Sequence, residues 1–315
     1  MATAPIINPL SNVPRRVRIV EVGPRDGLQN EPEIVPTAAK LHYVQMLTDA
    51  GFSDIEVTSF VSPKRVPQLA DAEQVFAALN SPTGLRYSAL VPNHRGLDRA
   101  LAVGVKAIAL FTAASESFTQ KNIGMTIAES LTGFRDLIPT ARENELWVRA
   151  YVSTAFVCPY EGIIAPAQVL PVVEELQEMG VDEISIGDTT GHAVPTDIVS
   201  LIEAILHSQP STINSQQLAF HFHDTHGCAL ANVLTAMQYG IATFDSASGG
   251  VGGCPFAPGA AGNLATEDLL GMLHGMGIET GIDLHKVVAA SRYLASILQR
   301  PLPSKYLQAV STIPG

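Results

Sequence analysis

A chain of 315 residues that is 46% hydrophobic and only 16% charged can bury a sizeable core, as one large α/β barrel or two ordinary domains. Its formal charge of −11 argues against nucleic acid or an anionic membrane as the main partner, because both reward basic patches. An anionic small molecule stays allowed, since it needs only a few local cations.

Short β-branched runs fall at residues 17–22, 54–60, 85–91, 107–112, 147–153, 183–186, 218–223 and 241–247. Segments with helical spacing lie between them, including 37–50, 126–142, 165–179, 195–207 and 228–239. Several start at Pro or a small polar residue and stop at Gly, as helices do. Eight strands alternating with helices predict a (β/α)8 TIM barrel within the α/β class, with an open doubly wound sheet as the competing arrangement. No linker, charge run or internal repeat divides the chain. We read one domain, residues 1–315, with the barrel at about 16–280 and a helical C-terminal appendage at about 281–315 lying across it.

Three scattered cysteines, Cys158, Cys228 and Cys254, make no disulfide framework and suit a reducing compartment. No stretch approaches the roughly 20 apolar residues of a membrane span, and neither end reads as a signal, peroxisomal or lipidation sequence. The expectation is a soluble cytoplasmic protein.

A barrel carries its site at the C-terminal ends of its strands. There the sequence offers Arg25 and Asp26 after the first strand, Glu56 on the second, Asp188 at the end of the sixth and His221 and His223 on the seventh. Residues i and i+2 of a strand share a face, so both imidazoles point one way and Phe222 points to the helical layer. A metal site and polar filler at the barrel mouth both fit the pair; His192 and His226, in loops, read as solvated surface or supporting residues. Arg25 suits an oxygen gaining negative charge, although an Arg–Asp surface pair has the same sequence. The run Gly249-Gly250-Val251-Gly252-Gly253-Cys254-Pro255 makes a loop able to approach a ligand closely, and lacks the Gly-Lys-Ser/Thr ending of a P-loop. Cys254 within it is either a buried apolar residue or a thiol that enters the site.

Taken in order, these segments resemble one family. Val22-Gly23-Pro24-Arg25-Asp26-Gly27-Leu28-Gln29-Asn30-Glu31 looks like the opening signature of 3-hydroxy-3-methylglutaryl-CoA (HMG-CoA) lyases. The runs 58–64, 220–225, 252–257 and 262–269 resemble the same family, and the match extends from about residue 16 to about 304; Thr190-Gly191-His192-Ala193 fits the pattern less clearly, which bears on substrate range more than on chemistry. The resemblance implies a divalent cation, Mg2+ or Mn2+, held by Asp26, His221, His223 and Asn263. It further implies Arg25 at the thioester carbonyl, Cys254 as the loop's catalytic thiol, and Glu56, Asp188 and Glu267 in support, with Asp188 and Glu267 as substrate-binding candidates. Catalytic roles are implied for Arg25, Asp26, Glu56, His221 and Cys254. The implied reaction cleaves HMG-CoA to acetyl-CoA and acetoacetate, chemistry of the leucine-degradation and ketone-body kind. The implied partner is a small-molecule acyl-CoA, with homo-oligomer formation left open. Rival readings are the same lyase chemistry on a larger substrate such as 3-hydroxy-3-isohexenylglutaryl-CoA, a Claisen-type synthase, and a non-catalytic metal- or acyl-CoA-binding barrel.

Overall fold

The computed structural model describes residues 12–80, 82–208, 214–252 and 262–311. Among the described residues ten strands occur in chain order: β1 Arg18–Glu21, β2 Asp54–Ser59, β3 Arg86–Leu90, β4 Ala107–Ala113, β5 Trp147–Ser153, β6 Val157–Cys158, β7 Gly162–Ile163, β8 Glu183–Asp188, β9 Leu218–Phe222 and β10 Thr243–Ser246. All but β6 and β7 close into one parallel barrel, in which β1 pairs with β10 through Val20 and Asp245. The (β/α)8 reading thus holds and the open sheet falls away. The antiparallel β6–β7 hairpin, absent from the sequence expectation, is an insertion after β5.

The helices form where the punctuation lies. Thr126 caps Ile127–Glu143 by accepting from the Glu129 amide at 3.0 Å, while the Glu129 carboxylate accepts from the Thr126 amide at 2.8 Å. Pro166 and Pro195 open Pro166–Glu178 and Pro195–His207, where a missing N–H leaves no donor unsatisfied. Apolar residues on the outer face of the strands, among them Leu110, Val148, Ile186, Phe220 and Phe244, form one continuous core with the helical layer. Phe222 belongs to it, stacked on Phe220 with ring centres 5.4 Å apart.

The barrel interior is charged where its outer layer is apolar. On β5, Val148, Ala150 and Val152 are buried in the apolar core, whereas Arg149 reaches Asp245 at 2.6 Å and Glu183 at 2.9 Å. The C-terminal helix Leu284–Leu298 does not lie across the barrel: it packs beside Thr37–Asp49 and Thr266–Gly275, burying Val287, Val288, Ala290 and Leu294. Its apolar face is wide enough to join the helical wall. A last helix, Lys305–Ser311, docks on Thr266–Gly275 through the Asp268 carboxylate, which accepts from the Lys305 and Tyr306 amides. Among the described residues, no helix is long and apolar enough to cross a membrane.

Candidate active site

After β1 the chain makes a single π-helical turn, Gly23–Gly27, in which the amides of Arg25, Asp26 and Gly27 converge on the Val22 carbonyl. This turn holds the Arg25 and Asp26 side chains together at the barrel mouth. Arg25 donates through Nε to Glu56 and through Nη1 to Asp26 Oδ1 at 2.7 Å, and its guanidinium lies 5.5 Å from the Tyr151 ring centre. Tyr151 in turn donates to Glu56 Oε2 at 2.9 Å. Burial opposes the guanidinium's charge, but Glu56 and Asp26 outweigh it and raise its pKa further, so Arg25 is a fixed cation.

Asp26, His221 and His223 offer ligand atoms that all lie within 4.8 Å of one another. The two imidazoles face each other with Nε2 atoms 3.2 Å apart, and His221 Nε2 is 3.9 Å from Asp26 Oδ2. Burial alone would raise the Asp26 pKa, yet Arg25 and the two imidazoles pull it down to about 2. Burial, reinforced by His221, lowers the His223 pKa to about 3, leaving a neutral ring with a lone pair. Burial would lower the His221 pKa as well, but its 3.2 Å contact from Nδ1 to Asp245 Oδ2 raises it and orients Nε2 toward the cluster.

Asn263 completes the group from the far side of the glycine loop. Its backbone pairs with His223, and Leu264 donates to the Phe222 carbonyl at 3.0 Å, so the segment runs beside the end of β9. Asn263 Nδ2 donates to Asp26 Oδ2 at 2.9 Å and to the Val251 carbonyl at 3.0 Å, while its Oδ1 is buried with no partner. Gly252 lets the loop pass this close: it has φ +107°, and a Cβ there would collide with Asn263 Nδ2. An orphaned amide oxygen beside a carboxylate and two imidazoles is a donor set suited to a divalent cation.

The remaining sequence candidates divide. Glu56 sits inside the group through Arg25. Asp188 is buried and accepts from the His192 amide at 3.2 Å and the Ala193 amide at 3.1 Å; burial raises its pKa to about 7 against those bonds. Glu267 is not at the cluster: it is fully buried, accepting from the Gly249 amide at 2.8 Å and from the Ser291 hydroxyl, and burial raises its pKa to about 7. Cys254 lies outside the described residues.

Sequence reasoning passed over four groups that build the site from below. Asp245 links His221 to Arg149, Tyr151 braces Glu56, and Gln29 donates to Asp26 Oδ1 at 2.7 Å. Glu21, wholly buried, accepts from the Gly23 and Ser248 amides and the Thr266 hydroxyl, tying the Arg25–Asp26 turn to the base of the glycine loop. The available signal was the charged residue at alternate positions inside an apolar strand, as in Trp147-Val148-Arg149-Ala150-Tyr151.

A closed parallel barrel with a cation-competent cluster at its strand ends, and a buried guanidinium beside that cluster, has the architecture of a barrel enzyme. The HMGL-like family model matches residues 16–294, and the chain belongs to that family. The cytoplasmic 3-hydroxy-3-methylglutaryl-CoA lyase of Rattus norvegicus is 50% identical over 300 residues, covering 95% of this chain and 86% of that protein. The crystal structure of hydroxymethylglutaryl-CoA lyase from Pseudomonas aeruginosa superposes with a TM-score of 0.91 at 46% identity, covering 95% of this chain and 99% of the other. An HMG-CoA lyase from Acinetobacter baumannii, solved in complex with coenzyme A and 3-methylmalate, gives 0.89 at 39% identity, covering 96% and 98%.

Proposed function

We propose that this protein cleaves HMG-CoA into acetyl-CoA and acetoacetate, a carbon–carbon lyase reaction. The observation that carries the reading is the convergence of Arg25, Asp26, His221, His223 and Asn263 at one barrel mouth. A divalent cation held by Asp26, His221, His223 and Asn263 would supply Lewis-acid stabilisation of the substrate's tertiary hydroxyl oxygen. Oxygen donors from Asp26 and Asn263 favour Mg2+ or Mn2+ over an all-nitrogen or sulfur-preferring ion.

The hydroxyl proton passes to a base at the cluster, for which the ionised Asp26 carboxylate is our assignment; the bond between C2 and C3 then breaks, C3 becomes the keto carbon of acetoacetate, and the bond's electron pair passes into the thioester as an enolate. Arg25 meets that charge. Its Nε and Nη1 are held by Glu56 and Asp26, which leaves Nη2 to donate to the thioester oxygen, a contact that strengthens as the enolate forms. Glu56 and Tyr151 keep the guanidinium in place before substrate arrives, so little reorganisation is needed during the reaction. Cys254 is assigned as the acid that protonates C2 of the enolate, with the glycine loop excluding water. Asp188 and Glu267, both engaged by backbone amides, fit positioning roles better than direct substrate contact: Asp188 shapes the turn after β8, and Glu267 anchors the loop at Gly249.

The coenzyme A held by the Acinetobacter relative supports an acyl-CoA substrate here. Curated relatives include both cytoplasmic and mitochondrial lyases, and a cytoplasmic location is our reading for this chain. The direct test is to incubate Mg2+-loaded protein with HMG-CoA and with 3-hydroxy-3-isohexenylglutaryl-CoA and to identify the products. Acetyl-CoA from HMG-CoA, lost on chelation, supports the reading. Cleavage of the larger ester alone would replace the substrate, and cleavage of neither would falsify the lyase assignment.

A further inference from the structure

We propose that residues 300–305 form a strap that positions Asn263 for the cation, with Leu302, Pro303 and Lys305 as positioning residues that act through the two stems of the glycine loop. The inference rests on reading Asp26, His221, His223 and Asn263 as the metal centre. After the helix Leu284–Leu298 the chain reverses at Gln299, whose φ of +51° is left-handed and unfavourable for a residue that carries a Cβ. The reversal sends the next six residues back over the loop stems. Leu302 and Ser304 are buried there, 2% and 0% exposed.

Each stem has its own contacts with the strap. On the outgoing stem, the Ser304 amide donates to the Gly249 carbonyl at 3.1 Å, and a Cβ on Gly249 would strike Leu302 Cδ1. Pro303 covers Gly250: a Cβ there would stand 3.1 Å from Pro303 Cγ and 3.5 Å from the Asn263 carbonyl oxygen. Gly250 is therefore packed between the strap and the backbone of Asn263. On the returning stem, Lys305 Nζ donates to Asp224 Oδ2 at 3.0 Å, and the Asp224 amide donates to the Gly262 carbonyl at 2.9 Å. Gly262 precedes Asn263 and Asp224 follows His223, so this contact reaches the neighbours of two ligands.

The stems call for an external brace. Gly249 and Gly250 have φ of +70° and +73°, and two adjacent glycines have little conformational preference of their own. Asn263 must nevertheless hold its buried, unpartnered Oδ1 at the cluster while Nδ2 donates to Asp26. The contacts behind a metal ligand help to set the affinity of the site. The strap is itself fixed at its far end: Asp268 accepts from Ser304 Oγ at 2.9 Å and from the Tyr306 amide at 2.7 Å, and Gln308 donates to the Leu302 carbonyl at 3.1 Å. Packing that serves stability alone is the competing account. It predicts a lower melting temperature with the metal affinity of the folded protein unaltered, whereas a positioning role predicts weaker metal binding in protein that is fully folded.

The test is a Mn2+ titration of the full chain, read from the electron paramagnetic resonance signal of unbound Mn2+ well below each variant's melting temperature. Leu302→Ala should raise the Mn2+ Kd about tenfold, the lower end of the effect of removing a ligand's supporting partner. Leu302→Met, which restores the volume, should bring Kd back to within about twofold of wild type. If Leu302→Ala does not fold, the smaller truncation Leu302→Val takes its place under the same readout. A Kd unchanged in the folded truncation overturns the strap, whatever happens to its melting temperature, as does a raised Kd that Leu302→Met fails to restore. His223→Ala is the control for the metal centre. Mn2+ binding absent from wild type, or indifferent to His223→Ala, would overturn the metal reading on which the strap rests, and the readout does not depend on HMG-CoA being the substrate.

Discussion

Replacing Arg25 by Lys separates transition-state stabilisation from substrate binding. The guanidinium engages Glu56 through Nε and Asp26 through Nη1, and in the proposed reaction Nη2 is the nitrogen that meets the thioester oxygen. A lysine keeps the charge but has one nitrogen on a flexible stem, which cannot serve Glu56, Asp26 and a thioester oxygen together. Glu56 is fully buried and Asp26 largely so, and both draw an ammonium away from the substrate. The loss is therefore that of one oxyanion donor, roughly 2.7–4 kcal/mol or about 10²–10³ in kcat. Asp26 retains Gln29 and Asn263 as partners, so Mg2+ affinity should change far less. The assay is steady-state release of acetyl-CoA with kcat and KM resolved, beside a Mg2+ titration and a melting curve to verify folding. A raised KM with kcat within about tenfold of wild type would show that Arg25 holds the ground-state thioester and that the enolate is stabilised elsewhere.

Three other substitutions probe the rest of the site. His223→Ala should weaken divalent-metal binding along with turnover, and a metal titration unchanged from wild type would remove His223 from the cluster. Cys254→Ser should lose most turnover but keep metal binding, because a hydroxyl is a much weaker acid than a thiol; near-normal turnover would make the thiol a bystander. Glu21 has its pKa raised by burial to about 8, so it contributes stability that is complete below its unfolded pKa of about 4.5 and is lost as pH rises through about 8. The wild-type melting temperature should accordingly fall between about pH 5 and pH 9, and Glu21→Gln should flatten that fall; parallel profiles for the two proteins would show that Glu21 does not drive it.

The barrel was legible because each strand is an apolar run with its own helix stop before it, and these signals are local. His221 and His223 were legible for the same reason, since a two-residue spacing in a strand fixes a common face without knowledge of the partner. Asn263 was reached only through family resemblance: its place beside His223 depends on a chain return past the glycine loop, which no periodicity encodes. Arg149 and Asp245 were passed over for a different reason. Each is a single charge in an apolar strand, the pattern of an outward or edge residue, and their pairing spans 96 positions of sequence. The interior they build bears directly on the chemistry. Asp245 accepts from Arg149, from the Ser185 hydroxyl and from His221, so the carboxylate that neutralises the barrel's buried arginine also sets the imidazole tautomer at its mouth. Removing one member of such a buried pair costs about 3–5 kcal/mol, because the other charge is left unpaired. Arg149 and Asp245 therefore bind the stability of the barrel and the orientation of His221 into one network, and a substitution at either position acts on both.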